Sequence, residues 1–216
     1  ASNNDGILYN YHYYENKKYL KIRRMIMEDK KKFQIKDLII TALMVLCSQV
    51  LYRVLSFLFI SPYTMLLAVP IWSIIGAIAY FLVPVKTKNP WMILLFCVLT
   101  SIIGFYPPYI ISCIFAGIIA MLIARTKGIG NYKGLTIGYM IFCVLAGFGG
   151  MYVPFLFYAD QTLKSYEKMF GSEYLGTLTK IVSPMTTAIM LIVIAICGLI
   201  GAVISKKLLK KHFEKA

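Results

Sequence analysis

Long uncharged apolar blocks, separated by short clusters of lysine and arginine, constrain this sequence more than any other feature. The chain of 216 residues is 59% hydrophobic and only 15% charged, whereas soluble domains are rarely more than half apolar. A run of about 20 apolar residues is long enough to cross the hydrocarbon core of a bilayer as a helix. The sequence therefore predicts an all-α integral membrane protein with several spanning helices.

Six apolar blocks follow a polar, basic and tyrosine-rich N-terminal tail over residues 1–36, which is predicted to be disordered or an interfacial helix. The sequence Gly104-Phe-Tyr-Pro-Pro108 divides one long block, which as a single helix would span about 50 Å. We predict a six-helix membrane domain over residues 37–205 and a basic cytoplasmic tail over 206–216. Its helices are predicted at about 37–59, 62–85, 91–106, 109–124, 135–158 and 184–205.

The positive charges orient these helices. Lysines and arginines gather before the first helix, after the second and fourth, and after the sixth, whereas the loop over 159–183 carries balanced charges. Because cytoplasmic loops of membrane proteins are enriched in Lys and Arg, both termini are predicted to be cytoplasmic. Attraction of these cations to anionic headgroups accounts for the net charge of +14 without a nucleic-acid partner.

Residue patterns typical of catalysis are missing from the sequence. Its two histidines, His12 and His212, lie in the terminal tails, and its five cysteines lie inside apolar blocks. The glycine-rich turn over residues 128–134 lacks the Gly-Lys-Ser/Thr ending of a phosphate-binding P-loop. These observations predict a protein that is not an enzyme and uses no metal or other cofactor, and any ATP-driven step would need another chain.

One charged residue, Arg53, interrupts the apolar blocks, about 24 Å along the first helix from Asp37. Ionisable residues within membrane spans commonly mark function. Arg53 is therefore predicted either to anchor the helix at the outer interface or to bind an anionic ligand. Gln49 lies one turn away on the same face of the helix.

Polar and aromatic residues gather at the predicted outer ends of several helices, beside Gly149, Gly150 and Pro154. Irregular backbone near glycines and prolines can line a cavity. Tyrosines at this depth also form interfacial belts that bind no ligand, so a belt and a ligand site are alternative interpretations. The predicted substrate-binding residues are Gln49, Arg53, Tyr63, Tyr106, Tyr109, Met151, Tyr152, Tyr158 and Asp160.

The loop over 159–183 is long for a connection between helices. Its apolar residues are spaced as in short amphipathic helices, which predicts either a helical lid over an outer cavity or a helix lying on the membrane surface. Small residues recur at four-residue intervals in the fourth and sixth helices. This pattern predicts close helix packing, either within the chain or with a partner.

Five short sequences carry a family resemblance. They are Lys31-Lys-Phe-Gln-Ile-Lys-Asp-Leu38, Gly171-Ser-Glu-Tyr174, Ser183-Pro184, Gly198-Leu-Ile-Gly-Ala202 and Lys206-Lys-Leu-Leu-Lys-Lys-His-Phe-Glu-Lys215. As a set, over about residues 30–216, they resemble the substrate-binding S components of energy-coupling factor (ECF) transporters. More narrowly, the chain is similar to the Trep_Strep or MptD-like group of these components.

This resemblance implies a six-helix receptor in the bacterial cytoplasmic membrane, with both termini inside and a high-affinity pocket near the outer face. It implies capture of a vitamin-like or other small micronutrient, which is passed to a membrane coupling subunit that works with two ATPase subunits. The first helices would face the coupling subunit. S components often use an Ala-x-x-x-Ala pattern there, but in this chain the residue four positions after Ala42 is Leu46. Thr41, Ala42 and Ser48 are the small residues predicted to dock.

Other functions stay open at this point. Haem is an alternative cargo, since Tyr or Met side chains are able to ligate its iron and Arg53 to pair with a propionate. A non-transport scaffold would use the alanine and glycine faces of the helices. A stand-alone transporter or channel is disfavoured because no polar track crosses the whole membrane.

Overall fold

The computed structural model describes residues 34–213, apart from the side chains of Asp160, Leu163, Ser165 and residues 210–213. The predicted tail up to residue 33 and the last three residues lie outside this range. The described residues form helices joined by short turns, with no strand among them. This architecture confirms the predicted all-α membrane fold.

The described part of the chain contains eleven α-helices, which are numbered here in chain order. They are α1 (Ile35–Val54), α2 (Pro62–Met65), α3 (Ala68–Ile75), α4 (Ala77–Thr87), α5 (Trp91–Ile102), α6 (Pro107–Lys127), α7 (Tyr132–Gly147), α8 (Val153–Phe157), α9 (Ala159–Phe170), α10 (Ser172–Ile181) and α11 (Pro184–Phe213). A 3-10 turn, Leu55–Ile60, extends α1, and a π-helical turn, Phe148–Tyr152, joins α7 to α8.

Within the described residues, five helical segments are long and apolar enough to cross a membrane. They are Ile35–Ile60, Pro62–Thr87, Pro107–Lys127, Tyr132–Phe157 and Pro184–Leu209. The sixth apolar segment, α5, has only 12 residues and is about 18 Å long, well short of a hydrocarbon core of about 30 Å. The count of six spans and the placement of the termini therefore stay predictions.

Two helix ends differ from the sequence-based prediction, and one proline lies where it does not interrupt a helix. Helix α5 stops at Ile102, because residues 103–106 form a turn in which Phe105 has a φ of +47°. Helix α11 continues to Phe213, so the first part of the predicted basic tail is helical. Pro70 occupies the third position of α3, where a missing N–H breaks no helical hydrogen bond. The helical segment is interrupted just before α3, by a turn at Leu66 and Leu67.

The helices pack around a core of aromatic rings. Helix α6 packs against α5 and α7, α11 packs against α3, α4 and α7, and α1 packs against α4 and α5. Tyr80, Phe96, Tyr139 and Phe142 are buried at the centre. The Tyr80 ring lies 4.8 Å from Tyr139, 5.7 Å from Phe96 and 6.1 Å from Phe142, measured between centroids. These rings fill the middle of the bundle.

Small residues bring helix backbones together inside the chain. Ala116, Ala120 and Ala124 on α6 are buried. A Cβ added to Gly138 on α7 would lie 3.1 Å from the Cα of Ala120, and one added to Gly201 on α11 would lie 2.6 Å from the carbonyl oxygen of Ser73. Of the two alternatives for these faces, the structure therefore shows packing within the chain.

The two ends of the bundle differ in charge. At one end, the phenol of Tyr132 donates a hydrogen bond to the carbonyl of Ala202, and the ammonium of Lys206 lies 5.2 Å from the centroid of the Tyr132 ring. The helix ends and turns on this side carry Lys86, Lys88, Arg125, Lys127 and Lys133. The turn over 103–106 and helices α9 and α10 lie at the other end.

Gly201→Ala should destabilise the fold by about 1–3 kcal/mol, since the added methyl would meet the backbone of α3, which cannot move aside. Gly198→Ala on the same helix is the matched control, because its Cβ would have no described neighbour nearer than 3.8 Å. Alanine there should be neutral or stabilise the helix by up to about 1 kcal/mol. Thermal unfolding in detergent measures both, and equal melting temperatures for the two variants would contradict this packing.

Candidate functional site

A cavity of about 1000 Å³ opens at the end of the bundle opposite the basic residues. This is the upper end of the range of roughly 300–1,000 Å³ that small-molecule sites occupy. Most of its wall is apolar or aromatic. The aromatic lining residues are Tyr52, Phe59, Trp72, Tyr106, Tyr109, Phe155, Tyr158, Tyr166 and Phe170.

One face of α1 and the 3-10 turn that extends it supplies the most polar part of the wall. Gln49, Tyr52, Arg53 and Ser56 all line the cavity, as the spacing i, i+3, i+4, i+7 on a helix predicts. The side-chain amide of Gln49 donates to the carbonyl oxygen of Thr100 at 2.9 Å. This hydrogen bond links α1 to the end of α5, one helical turn from Arg53.

Three segments of irregular backbone line the cavity. The 3-10 turn contributes Ser56 and Phe59, the turn over 103–106 contributes Gly104 and Tyr106, and the π-helical turn contributes Gly150 and Met151. Non-helical backbone at membrane depth is tolerated where it is buried in protein or lines a polar cavity. Single π-helical turns occur frequently at functional sites. The irregular segments therefore mark the same place as the cavity.

Two glycines let α6 approach the π-helical turn. A Cβ at Gly149 would lie 2.3 Å from the hydroxyl oxygen of Ser112 and 2.9 Å from the carbonyl oxygen of Pro108. A Cβ at Gly150 would lie 2.9 Å from the ring of Tyr109. The close approach holds the Tyr109 ring against the turn and forms one wall of the cavity.

Helix α9 closes one side of the cavity through Tyr166 and Phe170. The Phe170 ring stacks on Tyr174 of α10 with centroids 5.0 Å apart, and it meets the edge of Phe59 at 6.4 Å. The phenol of Tyr174 donates to the sulfur of Met65 at 3.4 Å. The loop predicted as a lid or a surface helix thus packs on the cavity rim as two helices.

The structure brings most of the predicted binding residues together. Gln49, Arg53, Tyr106, Tyr109, Met151 and Tyr158 line the cavity. Tyr63 does not line it and is 64% exposed, whereas Tyr152 is fully buried behind the wall, where its phenol has no hydrogen-bond partner among the described residues. The side chain of Asp160 lies outside the described part of the structure.

Sequence analysis missed several lining residues. Tyr52 is three positions from Gln49, so helical spacing was enough to find it. Tyr166 and Phe170 belong to the amphipathic pattern of the predicted lid, so this pattern could have identified them as lining residues. Trp72 and Phe155 lie inside apolar blocks, where an aromatic residue has no feature that separates a cavity wall from ordinary core.

The small residues predicted to dock a coupling subunit occupy different environments. Thr41 and Ser48 are fully buried, and the Thr41 hydroxyl donates to the carbonyl of Asp37. Ala42 is exposed. The exposed face of α1 consists instead of apolar side chains, including Leu43 and Leu46. Of the three predicted residues, only Ala42 is accessible to a partner in this structure.

Tyr106, in the turn between α5 and α6, presents an unused polar group. Its phenol oxygen is buried and has no hydrogen-bond partner among the described residues. Burial, with a smaller effect from nearby Tyr158, raises the pKa of Tyr106 above its usual value of 10.0. The phenol is therefore neutral at physiological pH and able to donate a hydrogen bond into the cavity.

Comparison with known protein families identifies a match. A family model described as "Hypothetical bacterial integral membrane protein (Trep_Strep)" matches residues 35–215. No curated protein matches the chain, and no solved structure does. The matched range takes in the whole membrane domain, including the cavity.

Phe170→Ala should loosen α9 and α10, because it removes a side chain with ring contacts to Phe59, Tyr166 and Tyr174. Aromatic pairs contribute about 0.5–1.5 kcal/mol each, so amide exchange over residues 159–181 should become roughly ten- to a hundredfold faster. Lys168→Ala, at an exposed position of the same helix, should leave exchange unchanged. Wild-type exchange in the Phe170 variant would show that these rings do not hold α9 and α10 in place.

Proposed function

The chain belongs to the Trep_Strep family of bacterial integral membrane proteins, and we propose that it is the substrate-binding S component of an ECF-type importer. In this role it captures a vitamin-like small solute at the outer face of the cytoplasmic membrane. It then delivers the solute to a membrane coupling subunit that works with two ATPases. The observation that carries the proposal is the aromatic-lined cavity of about 1000 Å³ at one end of the bundle.

The cavity has the form of a receptor site that opens at one end. Its wall includes Trp72, whose ring contacts Phe142 with centroids 5.9 Å apart. Phe142 in turn packs on Tyr80 and Phe96 in the central core. A solute held above Trp72 would therefore meet packed rings rather than a path through the described bundle, which favours capture and handover over conduction.

The S-component resemblance suggests where the partner would dock. It implies that the first helices face the coupling subunit, and α1 presents an apolar face in which Ile39, Leu43, Leu46 and Val50 are each more than half exposed. Ala42 lies on the same exposed side. We propose this apolar face as the docking surface, because it is the side of α1 that the rest of the described bundle leaves uncovered.

A scaffold role is less well supported, because the small-residue faces that would recruit another protein are used within the chain. Ala120 is buried against Gly138, and Gly201 lies against Ser73 and Ile74. Helix faces that are already packed do not offer a second interface. Many of the other exposed side chains of the spans, such as Leu122 and Ile192, are large and apolar and suit contact with lipid.

Haem is a second candidate cargo, favoured by three methionines, Met65, Met151 and Met169, that line the cavity beside several tyrosines. Thioether and phenolate groups both ligate haem iron in proteins. Titration of the purified protein with haemin should then give a shifted Soret band that weakens in a Met151→Leu variant. A spectrum identical to that of haemin in empty detergent would eliminate this cargo.

Co-expression with an ECF coupling subunit and its two ATPases tests the import role directly. The four chains should co-purify in mild detergent, and Leu46→Trp should reduce recovery of the coupling subunit by at least about tenfold, since a steric block at the centre of an interface removes several kcal/mol. Leu122→Trp, at a lipid-exposed position of α6 that is 46% exposed, is the control. Failure of the wild-type chain to retain any coupling subunit would refute the proposed role.

A further inference from the structure

The charges of the cavity wall are unbalanced. Among the lining residues that the structure describes, Arg53 is the one charged side chain, and the others are aromatic, apolar or neutral polar groups. No described carboxylate lies in the wall. A site with this composition complements a ligand that carries negative charge.

Arg53 itself is available for such a ligand. The structure contains no hydrogen bond or ion pair between its guanidinium and another described residue. A charged side chain at the edge of an apolar span is costly to leave without a partner. The planar guanidinium presents parallel N–H donors that match the two oxygens of a carboxylate or phosphate.

Neutral polar groups also line the cavity. The phenol of Tyr106 is unpaired, and the amide nitrogen of Gln49 is used by the carbonyl of Thr100, which leaves the amide oxygen as an acceptor. The Tyr106 phenol can donate to an oxyanion, and the Gln49 oxygen can accept from an N–H of a ligand. Together these groups would fix the orientation of a ligand that pairs with Arg53.

The rest of the wall fits a flat ring system. Trp72, Tyr109, Phe155 and Phe170 come from four different helices and line the same cavity. Aromatic rings stack favourably on other rings at centroid distances of 4.5–7 Å. Methionine side chains adapt to the edges of such rings.

We infer that the cavity binds a planar aromatic molecule bearing an oxyanion, with the oxyanion on Arg53 and the ring system between the aromatic walls. This inference takes the cavity to be the cargo site of the proposed function and names the class of its cargo. Arg53 is then a ligand-binding residue rather than an anchor to the lipid headgroups. A carboxylate and a phosphate share this chemistry, and anionic lipid is the competing source of an oxyanion.

The chain offers its own reporter for a test. It contains two tryptophans. Trp72 lines the cavity, whereas Trp91 is the first residue of α5, whose last residues lie next to the cavity. Trp91→Phe therefore leaves Trp72 as the only tryptophan, whose emission can be excited selectively over that of the tyrosines. This protein, in nanodiscs of zwitterionic phosphatidylcholine, is titrated with quinoline-2-carboxylate and with the neutral quinoline-2-carboxamide. Quinoline-2-phosphonate serves as the phosphate-like arm, and cyclohexanecarboxylate, a non-planar anion, is measured by competition.

Quinoline-2-carboxylate should quench Trp72 with saturation below about 1 mM, as expected for a fragment of a larger ligand. It should bind at least about tenfold more tightly than the carboxamide, the typical gain from a charge-assisted hydrogen-bond pair, and at least about tenfold more tightly than cyclohexanecarboxylate. The ratio of carboxylate to phosphonate affinity tells which oxyanion the site prefers.

Arg53→Gln should reduce carboxylate affinity to that of the carboxamide while carboxamide affinity changes less than about twofold, which also shows that the cavity is intact. Arg53→Lys should retain part of the preference, because a point charge replaces the planar donor pair. Lys88→Gln, which removes one positive charge at the opposite end of the bundle, should change nothing. Nanodiscs that contain phosphatidylglycerol should give the same carboxylate affinity.

Four results would overturn the inference: no saturable quenching by the carboxylate, equal affinity for the carboxylate and carboxamide, a preference that survives in Arg53→Gln, or loss of carboxylate binding with phosphatidylglycerol. The last would assign Arg53 to lipid headgroups. None of these measurements needs the coupling subunit. A carboxylate preference without co-purification of the coupling subunit would retain this inference and remove the import role. Co-purification without a carboxylate preference would retain the import role and remove this inference.

Discussion

The packing of aromatic rings below Trp72 is the constraint on which the rest of this structure depends. Trp72 meets Phe142, Phe142 stacks on Tyr80, and Phe81 continues the contacts from Tyr80 to Tyr132 near the basic end. Rings of this size occupy the centre of the bundle, so a large cavity is left only where they stop. The position of the cavity is a consequence of where this core ends.

The backbone becomes less regular from the aromatic core toward the cavity. Near the aromatic core the backbone keeps its helical hydrogen bonds even at the boundary between α3 and α4, where Gly76 donates to the carbonyl of Trp72 and Tyr80 donates to that of Gly76, as an apolar setting requires. Around the cavity the helices give way to the 3-10 turn Leu55–Ile60, the turn over 103–106 and the π turn Phe148–Tyr152. The wall of the cavity thus contains irregular backbone where polar surroundings allow its unpaired groups to be hydrogen-bonded.

Periodicity and charge predicted the helical membrane fold and the part of the chain that forms the cavity, because both depend on local sequence. Helical spacing grouped Gln49 with Arg53, and glycines and prolines indicated where helices would be interrupted. The sequence did not indicate that Trp72 would line the cavity or that Tyr152 would be buried behind it. Those outcomes depend on how α3 and the π turn rotate against their neighbours, which is decided by packing between distant segments. Nor did it show that Thr41 and Ser48 face inward, since small residues suit either side of a helix.

The shortness of α5 has a consequence for the surrounding lipid. A helix of 12 residues is shorter than the hydrocarbon core, and its C-terminal end passes directly into the turn that borders the cavity. Acyl chains beside α5 must therefore shorten or splay, at a cost of fractions of a kcal/mol per Å of mismatch. A thicker bilayer would press harder on this flank of the protein than on any flank formed by a full-length span. A change in membrane thickness would therefore alter the lateral force on the turn over 103–106, which borders the cavity.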